Sequence, residues 1–331
     1  AEAPLSLQAH PSKAQAEAGF LREDAAGIAL HDPKRIYKDT NHKPELVCAL
    51  EPFEALYGFR TRSEGIARWA TLFGASRELA ENATLMRAMT CLEASDTKAA
   101  LRELLAEPLL GRTAIAADVL RAATSLSPFG PEFAWAAKLA TAYPNDVGAL
   151  VSLLMNYVEL KPGEALYLPA GNLHAYLRGT AVELMANSDN VLRGGLTPKH
   201  VDVSELMTII HTEPLAPTPL RAEARGHGAF RYAIGESAPR EFELWRFDLA
   251  QGERHTLSKG PVLVLATSGA GELSRREDSA AGLGEASIEL VQGTSAFVLA
   301  AEDDVRLRAL STHFTAYCAI VPYETEPTGG S

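Results

Sequence analysis

The stretch GEALYLPAGNLHAYL, residues 163–177, decides which kind of fold the chain can adopt. Gly163 precedes a short apolar run, Pro169 and Gly171 follow that run, and His174 opens a second one. Gly and Pro interrupt regular structure, and apolar runs of this length are typical of strands. The pattern therefore predicts a strand, a tight turn and a second strand that begins at His174.

Short apolar runs of the same kind fill the C-terminal part of the chain. They are EFELWRFDL (241–249), PVLVLAT (261–267), ASIELVQG (286–293), SAFVLAA (295–301) and FTAYCAIVP (314–322). Many short strands separated by turn residues predict a sandwich or barrel.

The spacing around His174 recurs loosely later in the chain. The second copy of the frame reads Gly293, Leu299, Ala301 and Asp304. It keeps the Gly and the strand texture but loses the Pro and the His. We take this single matching Gly as a weak signal for a duplicated β-barrel with one working site.

Residues 61–143 are instead rich in Ala and Leu at helical spacing. DTKAALRELLAE (96–107), TAIAADVLRAAT (113–124) and PEFAWAAKLATAY (131–143) predict amphipathic helices, with Pro131 at a helix start. NDVGALVSLLMN (145–156) is expected to be the last helix. TEPLAPTPL (212–220) has three prolines in nine residues and predicts a domain connection.

Composition limits the class of partner. Lys and Arg number 31 and Asp and Glu 42, and the formal net charge of −11 argues against a nucleic-acid partner. No stretch approaches the roughly 20 apolar residues of a membrane span.

Cys48, Cys91 and Cys318 are far apart and form no CxxC pair, which predicts a reduced, cytoplasmic protein. The start of the chain lacks an initiating Met and the features of a signal peptide.

Two N-terminal segments carry side chains suited to chemistry. In LSLQAHPS (5–12), Gln8 and His10 are two residues apart, so a strand would project both from one face. NHKPEL (41–46) groups His42, Lys43 and Glu45, and the following Pro biases Lys43 toward an extended conformation. A solvated surface loop is the alternative interpretation of the second segment.

A third segment, VELMANSDNVLRGGLTPKHVD (182–202), offers Glu183, Asp189, Arg193, Lys199 and His200. The two glycines after Arg193 allow the backbone to approach a ligand closely. Arg and Lys beside such a turn suit an anion such as phosphate. A surface loop with two cations is again the alternative.

Taken together, Gln8, His10, Glu45 and His174 would form a mixed nitrogen and oxygen site with one negative charge. Such a set suits zinc and could still accept a water or sugar oxygen. Gln is an uncommon zinc ligand, so residue types alone would not select it.

Two family resemblances rest on these segments. The frame at 163–174 resembles the second cupin motif, G-x5-P-x-G-x2-H-x3-N, with Arg178 in place of the final Asn and no HxH pair for the first motif. LSLQAHPSK, YKDTNHKPELVCALEPFEALYGFR, PGEALYLPAGNLHAYLRG and ELMANSDNVLRGGLTPKHVD resemble, in the same order, segments of type I mannose-6-phosphate isomerases (phosphomannose isomerases). These are zinc enzymes of the cupin superfamily, and the resemblance runs from residue 5 to about residue 211.

The resemblance implies roles for individual residues. It makes Gln8, His10, Glu45 and His174 the zinc ligands and Arg193 the catalytic arginine. It also implies pocket residues, which are Ser6, Lys43, Tyr176, Glu183, Asp189 and Lys199. The implied reaction interconverts D-mannose 6-phosphate and D-fructose 6-phosphate by moving a proton between C1 and C2 through a cis-enediol. For the proton-transfer base, Lys43, His42 and Asp189 are the alternatives.

The implied fold is mainly β with an inserted α-helical domain and two cupin-type jelly-roll barrels, only the first carrying the metal site. We expect a catalytic jelly-roll from residues 1–58 and 157–213, a helical domain at 59–156, a metal-free jelly-roll at 214–325 and a disordered tail at 326–331. The family has a sizeable segment before the QxH strand. We therefore expect either that residue 1 lies inside a longer polypeptide or that this segment is missing.

The expected partners are a sugar phosphate and one zinc ion per chain, with no nucleic acid and no membrane, for a monomer in the cytoplasm. Three alternatives differ in chemistry. An isomerase of another phosphorylated aldose would keep the same site. A cupin oxygenase needs a redox metal and usually more His ligands. A non-catalytic sugar-binding cupin would not need Arg193.

Overall fold

A computed structural model describes residues 1–235, 239–275, 286–302 and 304–322 of a chain that is mainly β with a block of helices. The chain divides into two compact units. The first comprises Ala1–Pro162, Leu168–Ala181 and Asn187–Pro219, and the second Gly163–Tyr167, Val182–Ala186 and Leu220–Ser331. The Pro-rich stretch 212–220 contains the boundary between them. The domain ranges expected from the sequence stay predictions, and the expected tail at 326–331 lies outside the described residues.

The strands of the first part of the chain include those that present the candidate site. In chain order they are β1 (Leu7–Ala9), β2 (Glu45–Ala49), β3 (Phe53–Phe59), β4 (Met155–Leu160), β5 (Glu164–Leu168), β6 (His174–Arg178), β7 (Ala181–Met185) and β8 (Leu192–Gly195). Five of them form an antiparallel sheet in the order β4-β3-β6-β1-β8. The predicted strand, turn and strand around residues 163–177 are confirmed as β5 and β6, with His174 at the start of β6.

The helices lie mostly between β3 and β4. They are α1 (Lys13–Ala25), α2 (Arg62–Gly74), α3 (Arg77–Ala80), α4 (Ala83–Glu93), α5 (Thr97–Leu105), α6 (Leu109–Leu126), a 3-10 turn (Ser127–Phe129), α7 (Pro131–Ala142), α8 (Gly148–Ser152) and α9 (Val203–Ile209). The three amphipathic helices predicted from the sequence are confirmed as α5, α6 and α7, and Pro131 opens α7. Among the described residues, no helix is both long enough and apolar enough to cross a bilayer.

The structure differs from these expectations at three helices. The helix expected at 145–156 ends at Ser152, because the chain is already extended in β4 by Met155, and it is not the last helix. Helix α9 follows later, and Asp202 caps it by accepting a hydrogen bond from the Glu205 amide. Helix α1 was also not expected, although Ser12 and Gln15 form the capping box that signals such a start.

One face of the five-stranded sheet packs against the helices. Leu7 on β1, Leu173 and Ala175 around β6, and Leu192 on β8 belong to the same buried apolar cluster as Trp69 of α2. Side chains alternate between faces along a strand, so the residues between these apolar positions project from the opposite face. The apolar side chains on one face of each strand therefore hold the sheet against the helices. The polar side chains on the other face are available for a functional site.

Register decides which polar residues share that second face. Gln8 lies directly opposite His174 on β6 and opposite Arg193 on β8. Directly opposed residues of antiparallel strands project from the same face. The three side chains, which are up to 185 residues apart in sequence, are therefore neighbours on one surface of the sheet.

The second unit is built from antiparallel sheets of its own. Its strands are β9 (Leu220–Arg221), β10 (Glu223–Gly226), β11 (Ala229–Arg231), β12 (Glu243–Ala250), β13 (Arg254–Thr256), β14 (Val262–Ser268), β15 (Ala270–Arg275), β16 (Ala286–Val291), β17 (Ser295–Val298), β18 (Val305–Ala309) and β19 (His313–Ile320). Strands β10 to β19 form a six-stranded sheet, β10-β11-β12-β19-β14-β17, and a four-stranded sheet, β13-β18-β15-β16, whereas β9 pairs with β5. Phe247, Val262, Leu307 and Phe314 are in its core. The five strand-like runs predicted at 241–322 are confirmed as β12, β14, β16, β17 and β19.

Gly171, in the turn before β6, provides a stability test. Its φ is +75°, and a Cβ there would lie 2.8 Å from the Ile209 carbonyl oxygen. Gly27 has a similar φ of +71°, but a Cβ there would meet nothing within 4 Å. We expect Gly27→Ala to cost about 1 kcal/mol from the backbone conformation alone. Gly171→Ala should cost about 2–3 kcal/mol in denaturant unfolding, since steric strain adds to the same term. Equal costs for the two variants would contradict the importance of the close contact.

Candidate metal centre

Three buried side chains converge on one point of the first unit. Each of His10, Glu45 and His174 offers one ligand atom, and these atoms all lie within 4.8 Å of one another. Nε2 of His10 is 3.2 Å from Oε1 of Glu45, and Nε2 of His174 is 3.3 Å from Oε2. None of the three residues is more than 2% exposed. The sequence prediction that these residues come together is thus supported by their geometry.

Backbone carbonyls orient both imidazoles. Nδ1 of His10 lies 2.7 Å from the Asn190 carbonyl oxygen, and Nδ1 of His174 lies 3.0 Å from the Asn172 carbonyl oxygen. A carbonyl oxygen only accepts, so each Nδ1 carries a hydrogen, and Nε2 is the nitrogen of each ring that is left to bind a metal ion. This is the arrangement that ligating histidines adopt in metal sites.

The converging atoms fit a cation. Nε2 of both imidazoles and Oε2 of Glu45 are buried and have no hydrogen-bond partner among the described residues. Buried acceptors that face one another are costly unless a positive group satisfies them. Two imidazole nitrogens and a carboxylate oxygen are ordinary ligands of zinc. The residues present therefore fit a divalent metal ion.

Glu45 is ionised in this setting. Burial raises the pKa of its carboxyl, but the two imidazoles that face it, His10 and His174, favour the ionised form more strongly and hold the pKa well below its ordinary range. A metal cation at the same place would act in the same direction. Nζ of Lys43 adds a further positive charge 2.9 Å from Oε1. A cation site with an ammonium group beside it can polarise oxygen atoms and move a proton.

Gln8 and Arg193 flank the cluster through the sheet register described above. Both are partly buried, and both project from the face that carries His174. Tyr176, two residues further along β6, is on that face as well, with its ring centroid 5.8 Å from that of His174. Gln8 is thus placed as a neighbour of the three converging ligands.

The remaining predicted residues lie at the ends of these segments. Ser6 is partly buried just before β1, and His42 is partly buried in the loop before β2. Asp189 and Lys199 are exposed, in the loops before and after β8. Glu183 is exposed on β7, in the part of that strand assigned to the second unit. Their roles at the site stay predictions.

The groups that hold the imidazoles were not predicted from the sequence. Asn190 and Asn172 act on the histidines through backbone oxygens, which any residue type could supply. The visible signal was the cluster of Asn, Ser and Asp in NSDN (187–190), because such short polar side chains hydrogen-bond nearby backbone and organise loops.

The chain is similar to known proteins over most of its length. A family model, "Phosphomannose isomerase type I, catalytic domain", matches residues 1–62. The mannose-6-phosphate isomerase of Escherichia coli K12 is 35% identical over 308 residues, covering 92% of this chain and 73% of that protein. The protein of the same name from Salmonella typhimurium is 37% identical over 303 residues, with 91% and 73% covered.

Solved structures give the same result. A mutant phosphomannose isomerase from Salmonella typhimurium matches with a TM-score of 0.81 and 32% identity, over 97% of this chain and 76% of that one. A zinc-bound mannose 6-phosphate isomerase matches with a TM-score of 0.80 and 32% identity, over 95% and 76%. The chain thus spans about three quarters of each of these four proteins.

Metal binding at the cluster can be tested with Glu45→Gln, which removes the anionic ligand at nearly constant volume. We expect zinc affinity, measured by competition with a chromophoric chelator, to fall by more than about 100-fold, since outer partners of ligands alone contribute about 10–100-fold. Glu159→Gln, at an exposed position of β4, is the matched control and should bind zinc as the parent does. Unchanged affinity in Glu45→Gln would place the metal elsewhere.

Proposed function

The chain belongs to the type I mannose-6-phosphate isomerase family, and from that membership and the metal centre we propose that it interconverts D-mannose 6-phosphate and D-fructose 6-phosphate with one zinc ion. The observation that carries the proposal is the convergence of His10, Glu45 and His174, with unpaired ligand atoms, beside Lys43. An aldose–ketose isomerisation needs an electrophile for the sugar oxygens and a group that moves a proton, and this cluster offers both.

The proposed metal ligands are Gln8, His10, Glu45 and His174. Zinc held there supplies Lewis acidity that polarises the sugar oxygens at C1 and C2 without any redox change. The support for zinc is the donor set on this chain and the zinc-bound structure that the fold matches. Burial of the cluster keeps bulk water away, which strengthens every charge interaction inside the site.

We propose that Lys43, once its ammonium group has released a proton, is the base that takes a proton from one of C1 and C2 and returns it to the other through a cis-enediol. Its side chain is 13% exposed, and its Nζ lies 2.9 Å from Glu45. It is therefore both close to the metal ligands and largely withdrawn from water. His42 and Asp189 are the alternatives, and Asp189 is exposed where Lys43 is not.

Two cations suit the rest of the substrate. Arg193 projects from the same sheet face as Gln8 and His174, which supports a role for its guanidinium in stabilising negative charge that develops on the open-chain sugar. The phosphate is attached at C6, several bonds from the reacting carbons. The exposed Lys199, in the loop beyond β8, suits that more distant anion. Ser6, Tyr176 and Glu183 complete the proposed substrate-binding set.

The finer features of fold and cellular context are also proposals. We propose that the antiparallel sheets form two cupin-type jelly-rolls, the first with the metal and the second without, with the helical domain at 59–156 inserted in the first. The family membership and the match to solved structures support this arrangement. We also propose a monomer in the cytoplasm, and the free cysteines Cys48, Cys91 and Cys318 agree with that reducing compartment.

A coupled assay with mannose 6-phosphate tests the function. We expect turnover in the parent, loss with a chelator and recovery with added zinc. Arg193→Ala should lower kcat/KM by about 100-fold, since a group that stabilises developing charge contributes this much or more. Arg62→Ala, at an exposed position of α2, is the matched control and should leave kcat/KM unchanged. Turnover that is unaffected by the chelator and by Arg193→Ala would show that the zinc-isomerase proposal is wrong. Preferred turnover of another phosphorylated aldose would change the substrate assignment.

The assignment of the base is tested separately. Lys43→Gln should lower kcat by about 100-fold or more, because general base catalysis contributes 10²–10⁴-fold, while the zinc content stays at one per chain. His42→Gln and Asp189→Asn should keep the parental kcat at the same zinc content. If one of these variants lost kcat at parental zinc content and Lys43→Gln did not, the base would be that residue instead.

A further inference from the structure

Asn190 lies between two loops and is fully buried. Its Oδ1 accepts hydrogen bonds from the amides of Lys38 (2.7 Å) and Asp39 (3.2 Å). Its Nδ2 donates to the carbonyl oxygen of Asp39 (2.9 Å), to Oδ1 of Asp39 (3.1 Å) and to the carbonyl oxygen of Asn41 (2.8 Å). One side chain thus ties residue 190 to a segment about 150 positions earlier in the sequence.

Asp39, in the other loop, accepts further hydrogen bonds through its carboxylate. Its Oδ1 accepts from the Asn41 amide (2.8 Å) and from the Ser188 hydroxyl (2.9 Å), and its Oδ2 accepts from the Asp189 amide (2.8 Å). Each loop therefore satisfies polar groups of the other. We call this reciprocal set, formed by Asp39 and Asn190, the loop clamp.

Each of the two loops in the loop clamp is connected to the metal centre. The Asn190 carbonyl oxygen is the acceptor for Nδ1 of His10, at 2.7 Å. Residues 186–191 lie between β7 and β8 and are in neither strand, so side-chain hydrogen bonds rather than a sheet ladder hold that carbonyl in place. On the other side, the clamped segment 38–41 runs directly into Lys43 and Glu45.

We propose that Asp39 and Asn190 are positioning residues that set the orientation and tautomer of His10 and the placement of the loop carrying Lys43 and Glu45. The inference rests on the proposed zinc site. Without the Asn190 side chain, the amides of Lys38 and Asp39 lose their acceptor inside the protein, and the segment relaxes to recover hydrogen bonds. The carbonyl that fixes His10 then moves, and ligand geometry degrades although no ligand has been removed.

Zinc binding is the primary test, because it needs no turnover. We expect Asn190→Ala and Asp39→Ala to weaken zinc binding by about 10–100-fold in chelator competition, the range typical of residues that orient metal ligands. The double variant should lose about as much zinc affinity as whichever single variant binds zinc more weakly, since both changes remove the same loop clamp. Asn187→Ala, an exposed Asn three positions before Asn190, is the matched control and should bind like the parent.

A spectroscopic measurement separates positioning from simple destabilisation. Cobalt(II) substituted at the site should show shifted visible bands in Asn190→Ala but not in Asn187→Ala. Asp39→Asn is the milder variant: it keeps one acceptor oxygen and loses only that facing the Asp189 amide. It should show a smaller loss of zinc affinity with native circular dichroism, so it decides the matter if Asn190→Ala does not fold.

The outcomes distinguish the two proposals. If the parent binds zinc and turns over mannose 6-phosphate, while folded Asn190→Ala or Asp39→Asn has parental zinc affinity and parental cobalt bands, the positioning role is wrong and the function stands. If the parent itself binds no zinc and shows no turnover, the proposed function fails, and the positioning inference fails with it.

Discussion

A buried carboxylate that faces two imidazole nitrogens is the constraint on which the rest of the first unit depends. Glu45, His10 and His174 present acceptor atoms to one another inside the protein, and such an arrangement persists only if positive charge lies among them. The metal ion and the neighbouring Lys43 meet that need. These charges lie in a buried part of the fold from which water is excluded, so they act strongly on a bound substrate.

The five-stranded sheet makes this arrangement possible by giving its two faces different tasks. Its apolar positions join the helices in one core around Trp69, which secures the strands without using any polar side chain. The intervening positions are then free to carry Gln8, His174 and Arg193 in adjacent register. The helical block therefore packs against the strands whose other face carries the candidate metal centre.

Parts of the fold and site followed from local sequence, and parts did not. The turn and strands around His174, the helices at 96–143 and the C-terminal strands were predicted, because each rests on local periodicity, Gly, Pro or capping residues. Helices α1 and α9 were missed although their caps were present in the sequence. The acceptors for the two imidazoles were also missed, because a backbone carbonyl has no side-chain signature and the Asn190 oxygen acts on a residue 180 positions away.

The sequence by itself determined the inventory: the residue types able to bind a metal, their order, the alternation that places Gln8 and His10 on one face, and the resemblance that named Glu45 and His174 as their partners. Only the tertiary structure decided that three of these ligand atoms meet within 4.8 Å, that each imidazole presents Nε2, and that Asp39 and Asn190 join two distant loops behind His10. The physical reason is that spacing along the chain controls local direction. Distance, burial and hydrogen-bond partnership between remote segments arise from strand register and packing.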